Sequence, residues 1–201
     1  MASVVDICNL ALARLGDAAT VASIDPPEGS IEAQHCARFY PVARDAMLEG
    51  HEWKFATRRA VLAQLSVDSF NWQYAYAEPA GAIKILSVLP VDSGSEAESA
   101  NYITESSSDG APMIFTDLPD ATVRYIARVT DTTKFSPLFT DALAWLLASY
   151  LAGPVLKGDT GAAAAKSSYA TFKTVLGQAT FSDANQQQVT VERNPGWISG
   201  R

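Results

Sequence analysis

Histidine and cysteine are scarce in these 201 residues, with only His35 and His51 of the first and Cys8 and Cys36 of the second. Two cysteines make no disulfide framework, and neither belongs to a CxxC pair or a Cys/His cluster with zinc-like spacing, so no metal is expected. Both read as small residues on helical apolar faces. The GxGxxG turn, the Walker loop, the GxSxG elbow and the HExxH pair are all missing, and no cofactor is expected. His35 beside Cys36, and His51 before Trp53, read as partly buried structural imidazoles. On this inventory the chain is not an enzyme.

Charge is sparse as well, at 18% of residues, and the net value is -7. That sign opposes binding to a nucleic-acid backbone by counterion release. Between Ile85 and Val123 there is no lysine or arginine, but seven acids: Asp92, Glu96, Glu98, Glu105, Asp109, Asp117 and Asp120. Residues 1–84 hold 7 bases and 10 acids, and residues 124–201 hold 8 and 5, so the middle of the chain carries the whole excess. The longest strongly apolar run, Ala142 to Ala152, falls short of the roughly 20 residues that span a bilayer, and no membrane partner is expected. Met1 to Asp6 show no secretory pattern, which is consistent with synthesis in a cytoplasm.

What is present is helical periodicity at both ends and strand periodicity between them. Val4, Ile7, Cys8, Ala11, Leu12 and Leu15 share one side of a 3.6-residue wheel, with Ser3 and Asp6 placed as a capping box and Gly16 as a left-handed stop. After Asp25-Pro26-Pro27-Glu28, a second helix is expected to about Gly50, with Ala33, Cys36, Tyr40, Ala43 and Met47 on one face and a kink at Pro41. The two should pack antiparallel. From Arg59 the period drops to two, through Trp72, Tyr74, Tyr76, then Ile83, Ile85, Val88, and later Val123, Tyr125, Ala127; with 102–104 and 113–115 this predicts four to six short strands. Asp92 to Ala100 and Ser106 to Gly110 read as exposed turns. Ser136-Pro137 opens a third helix, apolar around Leu143, Trp145, Leu146 and Tyr150 and stopped by Gly153-Pro154. Asp159 is placed to cap a fourth, with Ala162, Ala165, Tyr169, Phe172, Leu176 and Ala179 in step.

The fold class is therefore α+β: a four-helix layer with a small antiparallel β domain inserted between the helix pairs, plus an extended C-terminal arm. The expected divisions are residues 1–58 and 135–184 for the two halves of the helical domain, 59–134 for the β domain and 185–201 for the arm. Cys8, Leu12, Cys36, Tyr40, Trp145, Leu146, Tyr169 and Phe172 are the expected helical core. Trp53 and Phe55 are expected to anchor the helix-to-sheet junction. An alternative for residues 51–59 is base stacking by these aromatics beside Arg58 and Arg59. In the arm, Trp197 reads either as an anchor on another chain, with Arg193 and Arg201 as charged partners, or as folding back on its own helices. Seventeen residues reach about 55 Å when extended at roughly 3.3 Å each.

Taken in order, Val5 to Gly16, then Ala33, Cys36, Tyr40 and Arg44, then Glu52 to Ala60 resemble the tail tubular protein A family, the head-to-tail adaptors of short-tailed bacteriophages. Trp72 to Pro79, Ser136 to Pro154, and Trp197-Ile198 with Arg201 continue the likeness. The resemblance implies a virion structural protein at the head-tail junction: a homo-oligomeric, dodecameric ring under the portal protein. It implies that the C-terminal arm, with Arg193, Trp197, Ile198 and Arg201, docks on the portal, and that the β domain meets the tail nozzle. Genomic DNA would pass through the lumen without specific binding. An acidic loop of Asp92, Glu96, Glu98 and Glu105 would then either line that lumen and repel phosphates, or be a solvated outer loop. Two other readings stay open: a tail-associated polysaccharide hydrolase using Glu78, and a different neck ring, such as a stopper or tail-completion protein.

Overall fold

The computed structural model describes residues 2–18, 20–68, 70–92 and 98–186. Its chain order is α1 (Val4–Arg14), α2 (Ile31–Glu49), β1 (Thr57–Val61), β2 (Tyr74–Ala77), β3 (Ala82–Pro90), β4 (Tyr102–Ser106), β5 (Pro112–Thr116), β6 (Ala121–Ala127), α3 (Pro137–Leu156) and α4 (Gly158–Ala184). The α+β class holds, and the six strands make two three-stranded antiparallel sheets, β1-β6-β3 and β2-β5-β4.

Local chemistry sets the helix ends. The Ser3 hydroxyl accepts from the Asp6 amide at 3.1 Å, and Asp6 Oδ2 accepts from the Ser3 amide at 2.8 Å, completing the capping box. The Ser3 amide, and after it the Ser3 hydroxyl, donate to Asp6 Oδ2 and hold that carboxyl below the ordinary carboxylate range. At the other end Gly16 has φ +77, with Gly16 donating to Ala13 and Asp17 to Leu12, a Schellman closure. Ser30 and Ser136 cap α2 and α3 by accepting from Ala33 and Phe139. Pro41 lies inside α2, which runs through it.

Three expectations are corrected, and one arrangement is added. First, α1 and α2 meet at Cys8 and Cys36, but each makes its larger contact with α3, which also packs extensively on α4. Second, α3 runs three residues past Gly153 with Pro154 inside it, and the chain turns at Lys157, which has φ +57. Pro154 is accommodated in the last turn. Third, Asp159 makes no cap; it sits in the first turn of α4, whose N-cap residue Lys157 gives no side-chain bond, so Asp159 complements the helix dipole instead. Fourth, Tyr169 is 45% exposed, and the buried seam of α4 runs through Gly161, Ser168, Phe172, Ala179 and Asp183. The seam starts on Gly161 because a Cβ there would lie 2.9 Å from the Ala152 carbonyl oxygen, so only glycine allows the two backbones to approach so closely.

α3 is also the one described helix long and apolar enough, by length and composition, to cross a membrane. It is the central core element instead, with only Pro137 and Gly153 of its twenty residues exposed.

The layers follow from strand alternation. On β6, Ala121, Val123, Tyr125 and Ala127 turn toward the second sheet, where they share a core with Tyr76 and Ile114. Ile126 faces the other way and joins the helical core, with Ile83 and Leu86 packed against it. Sheet β1-β6-β3 is therefore covered on both faces, and β2-β5-β4 is the distal layer. Trp72 precedes β2 and packs under its outer face with Leu65. The β4–β5 turn closes as expected, with Ser107 donating to Ala111 and Gly110 at φ +83.

Candidate functional site

Of the expected helical core, Cys8, Leu12 and Cys36 are fully buried, while Tyr40, Leu146 and Phe172 are nearly so. Trp145 is half-buried against that core, and the Arg14 guanidinium stacks 4.2 Å from its ring. Arg14 also donates to the Asp141 carbonyl at 2.9 Å and pairs with the Asp141 carboxylate, tying α1 to α3. The Cys8 and Cys36 thiols are buried and hydrogen-bonded to each other, and that bond together with burial pushes the Cys8 thiol up.

At the junction Trp53 is fully buried and donates from Nε1 to the Met47 carbonyl at 2.7 Å. Its ring meets Phe139 edge-on at 4.9 Å and Phe55 at 6.0 Å, with Phe135 completing the cluster at 5.6 Å from Phe55. A tryptophan so enclosed cannot stack a base, and that alternative is set aside. The sequence did not foretell the group beside it. Asp183, at the end of α4, is 5% exposed and accepts from the Lys54 amide and from His51 Nε2, each at 3.2 Å. His51 also meets the Trp53 ring edge-on at 4.7 Å. The His-Asp contact resembles half of a catalytic triad, but the aromatic cluster behind it holds no nucleophile, and its evident work is to latch α4 to the start of β1.

Acidic residues of the middle segment are surface groups. Asp92 and Glu98 are exposed, as is Glu105 on β4; Glu96 falls outside the described residues. Arg193, Trp197, Ile198 and Arg201 also lie outside them. Among the described residues no group of three or more His, Cys, Asp or Glu is placed to hold a metal ion.

Two concavities have chemical interest. A groove of about 660 Å³ lies between the start of α1, residues 22–25 and α2, bordered by Tyr40, Pro41 and Arg44. Arg44 is committed to Asp45, which also accepts from Arg128. The Tyr40 hydroxyl is, among the described residues, a buried polar atom with no hydrogen-bond partner, and burial pushes its pKa up to about 12. A smaller cleft of about 260 Å³ holds Glu78 with Lys84, Tyr102 and Thr104. Burial raises the Glu78 carboxyl, but no second carboxylate lines that cleft, whereas glycoside hydrolysis of the common kind uses a facing pair. That cleft therefore lacks the paired carboxylates that the hydrolase reading needs around Glu78.

These features define a three-layer α+β protein in which contacts such as Arg14 with Asp141 and Lys54 with Asp183 tie the elements together. No protein-family model matches the chain, and no curated protein matches it.

Proposed function

We propose that this protein is a structural head-to-tail adaptor of a bacteriophage: a ring, dodecameric by the resemblance of its motifs, that joins the portal to the tail nozzle and leaves a channel for DNA. It acts by holding surfaces together. In this reading the subunit works at the head-tail junction of the virion after synthesis in the host cytoplasm. Neighbouring copies meet through a heterologous contact that closes when the rotation fits. The arm carrying Trp197 docks on the portal, and the acidic β surface lets DNA slide.

The observation that supports it best is the one-sided burial of α4. This 27-residue helix packs chiefly on α3 among the helices, and outside its seam it carries Tyr169, 45% exposed on the flank beside Phe172, and Phe181, 72% exposed on the far side, among alanine, serine and glycine. A long helix with bulky rings over a small-residue surface suits close packing against a second subunit. The ordered motifs that resemble the adaptor family supply the rest of the argument.

The test is mass and shape. Native mass spectrometry and electron microscopy of the purified protein, alone and mixed with portal, should show a closed ring with one copy number. The double variant Tyr169→Glu, Phe181→Glu should keep the wild-type circular dichroism but lose the ring. A wild-type protein that stays monomeric with portal present, or a variant that assembles normally, overturns the proposal.

A further inference from the structure

The distal sheet has an unusual second face. Ala75, Met113 and Phe115 point away from the inter-sheet core and form a small apolar cluster of their own. Leu65 and Trp72 pack against this cluster and help to bury it, but Phe70 beside them stays outside. Phe70 is 82% exposed and holds φ +51, a backbone state that side chains other than glycine adopt at a cost, while its ring stays 6.5 Å from Phe115. Two clefts flank that ring, of about 260 and 380 Å³, and both are bordered by Phe70, Glu105 and Phe115. Asp68 borders the larger cleft, and no lysine or arginine borders either. The surrounding segment, Ile85 to Val123, has seven acids and no base.

We propose that this face is a docking surface for a basic protein segment, which seats an apolar side chain beside Phe70 while its lysines or arginines pair with Glu105 and Asp68. The sign of the rim selects among partners. Nucleic acids and anionic lipid surfaces are repelled by it. A protein segment that alternates cations with an aromatic or aliphatic residue meets both features at once: the apolar side chain is desolvated in a cleft, and the charged rim sets orientation and rate of encounter. The proposal does not need the adaptor reading; the face would serve a protein of any assembly state.

A displayed library of random heptapeptides selected on the full chain tests it. Enriched peptides should combine lysine or arginine with an aromatic or aliphatic residue. Their binding, measured by titration calorimetry, should weaken at least tenfold in Phe70→Ser and again in Glu105→Lys, and should weaken as salt screens the rim. Both positions are exposed, so circular dichroism and the thermal midpoint should match wild type. Failure to enrich any sequence, enrichment of acidic or wholly polar peptides, or binding indifferent to both substitutions overturns the proposal. So does loss of self-association in Phe70→Ser, which would give the face to a second copy of this chain. A failed ring with successful selection would remove the adaptor reading and leave this one standing.

Discussion

Helices α3 and α4 follow one another across a single residue and are packed on each other, yet they are built from opposite material. α3 shows only Pro137 and Gly153 to solvent, because α1, α2 and α4 together surround it. α4 buries a narrow seam of Gly161, Ser168, Phe172, Ala179 and Asp183, flanks it with half-buried residues such as Val175 and Leu176, and exposes most of the rest. The difference lies in neighbours rather than in helix-forming power. Folding constrains almost every position of α3, whereas it buries only five of the 27 residues of α4, and the outer positions of α4 are left to be shaped by whatever the protein meets. An exposed Phe181 is informative for that reason, while a buried Leu147 says only that the core must be filled.

The largest effect should come from removing volume where α3 is enclosed. Leu147 is fully buried, so Leu147→Ala should destabilise the protein by about 2–5 kcal/mol, transfer and cavity costs together. Phe181→Ser on the outer side of α4 should change stability by no more than about 0.5 kcal/mol. Urea unfolding followed by circular dichroism measures both. Similar losses at the two sites would mean that the helices differ less than their exposures indicate.

Next is the seam itself. Gly161→Val should cost about 1–3 kcal/mol, since the new Cβ would meet backbone atoms of Ala152 and Gly153 at 2.9 and 3.3 Å and backbone cannot step aside as a side-chain tip can. A neutral outcome would show that the two helices separate readily. This contact also marks where the sequence ceases to be legible. The capping box at Ser3, the Gly16 stop, the Ser136-Pro137 start and the alternation of β6 are local signals, and each element formed where its signal lies. The phase of α4 is not local. Ala162 and Tyr169 keep good helical spacing, but the buried stripe passes through Gly161 and Ser168 because the turn at Lys157 lays one backbone against the other. In the same way the Asp183 contacts with Lys54 and His51 span about 130 positions of chain, and no spacing rule reaches that far. Phe70 carries no such local signal, because its meaning depends on its ring lying exposed beside the buried Phe115, an arrangement that only the assembled distal sheet displays.

Polar groups of the helical layer divide along similar lines. Asp183 has its partners, whereas the buried Tyr40 hydroxyl on α2 has none, so Tyr40→Phe should stabilise the protein by about 1 kcal/mol at neutral pH. The sign reverses for the hydroxyl's pH dependence. The folded state holds the Tyr40 proton until about pH 12, while the unfolded chain releases it near the ordinary tyrosine value of about 10. Between those values the unfolded state binds fewer protons, and wild-type stability falls as pH rises. Tyr40→Phe should lose less over that window in unfolding experiments, although Tyr76, Tyr102 and Tyr150, also raised by burial, keep part of the slope. An unchanged slope would mean that the hydroxyl finds a partner in solution.

The smallest effect sharpens the contrast most. Gly177 is a second glycine of α4, but it lies on the outer side, where a Cβ would meet nothing within 4 Å. Alanine there replaces a poor helix former by the best one, so Gly177→Ala should stabilise the subunit by about 0.5–1 kcal/mol, seen as a higher thermal midpoint. Two glycines on one helix thus carry opposite signs, Gly161 needed for approach and Gly177 costing stability in the isolated subunit. If the outer side of α4 packs closely on a neighbouring copy, the added methyl should raise subunit stability and weaken assembly in the same preparation. A rise in both would place the subunit contact elsewhere on the surface, because a methyl group that is accommodated without loss is not pressed against another backbone.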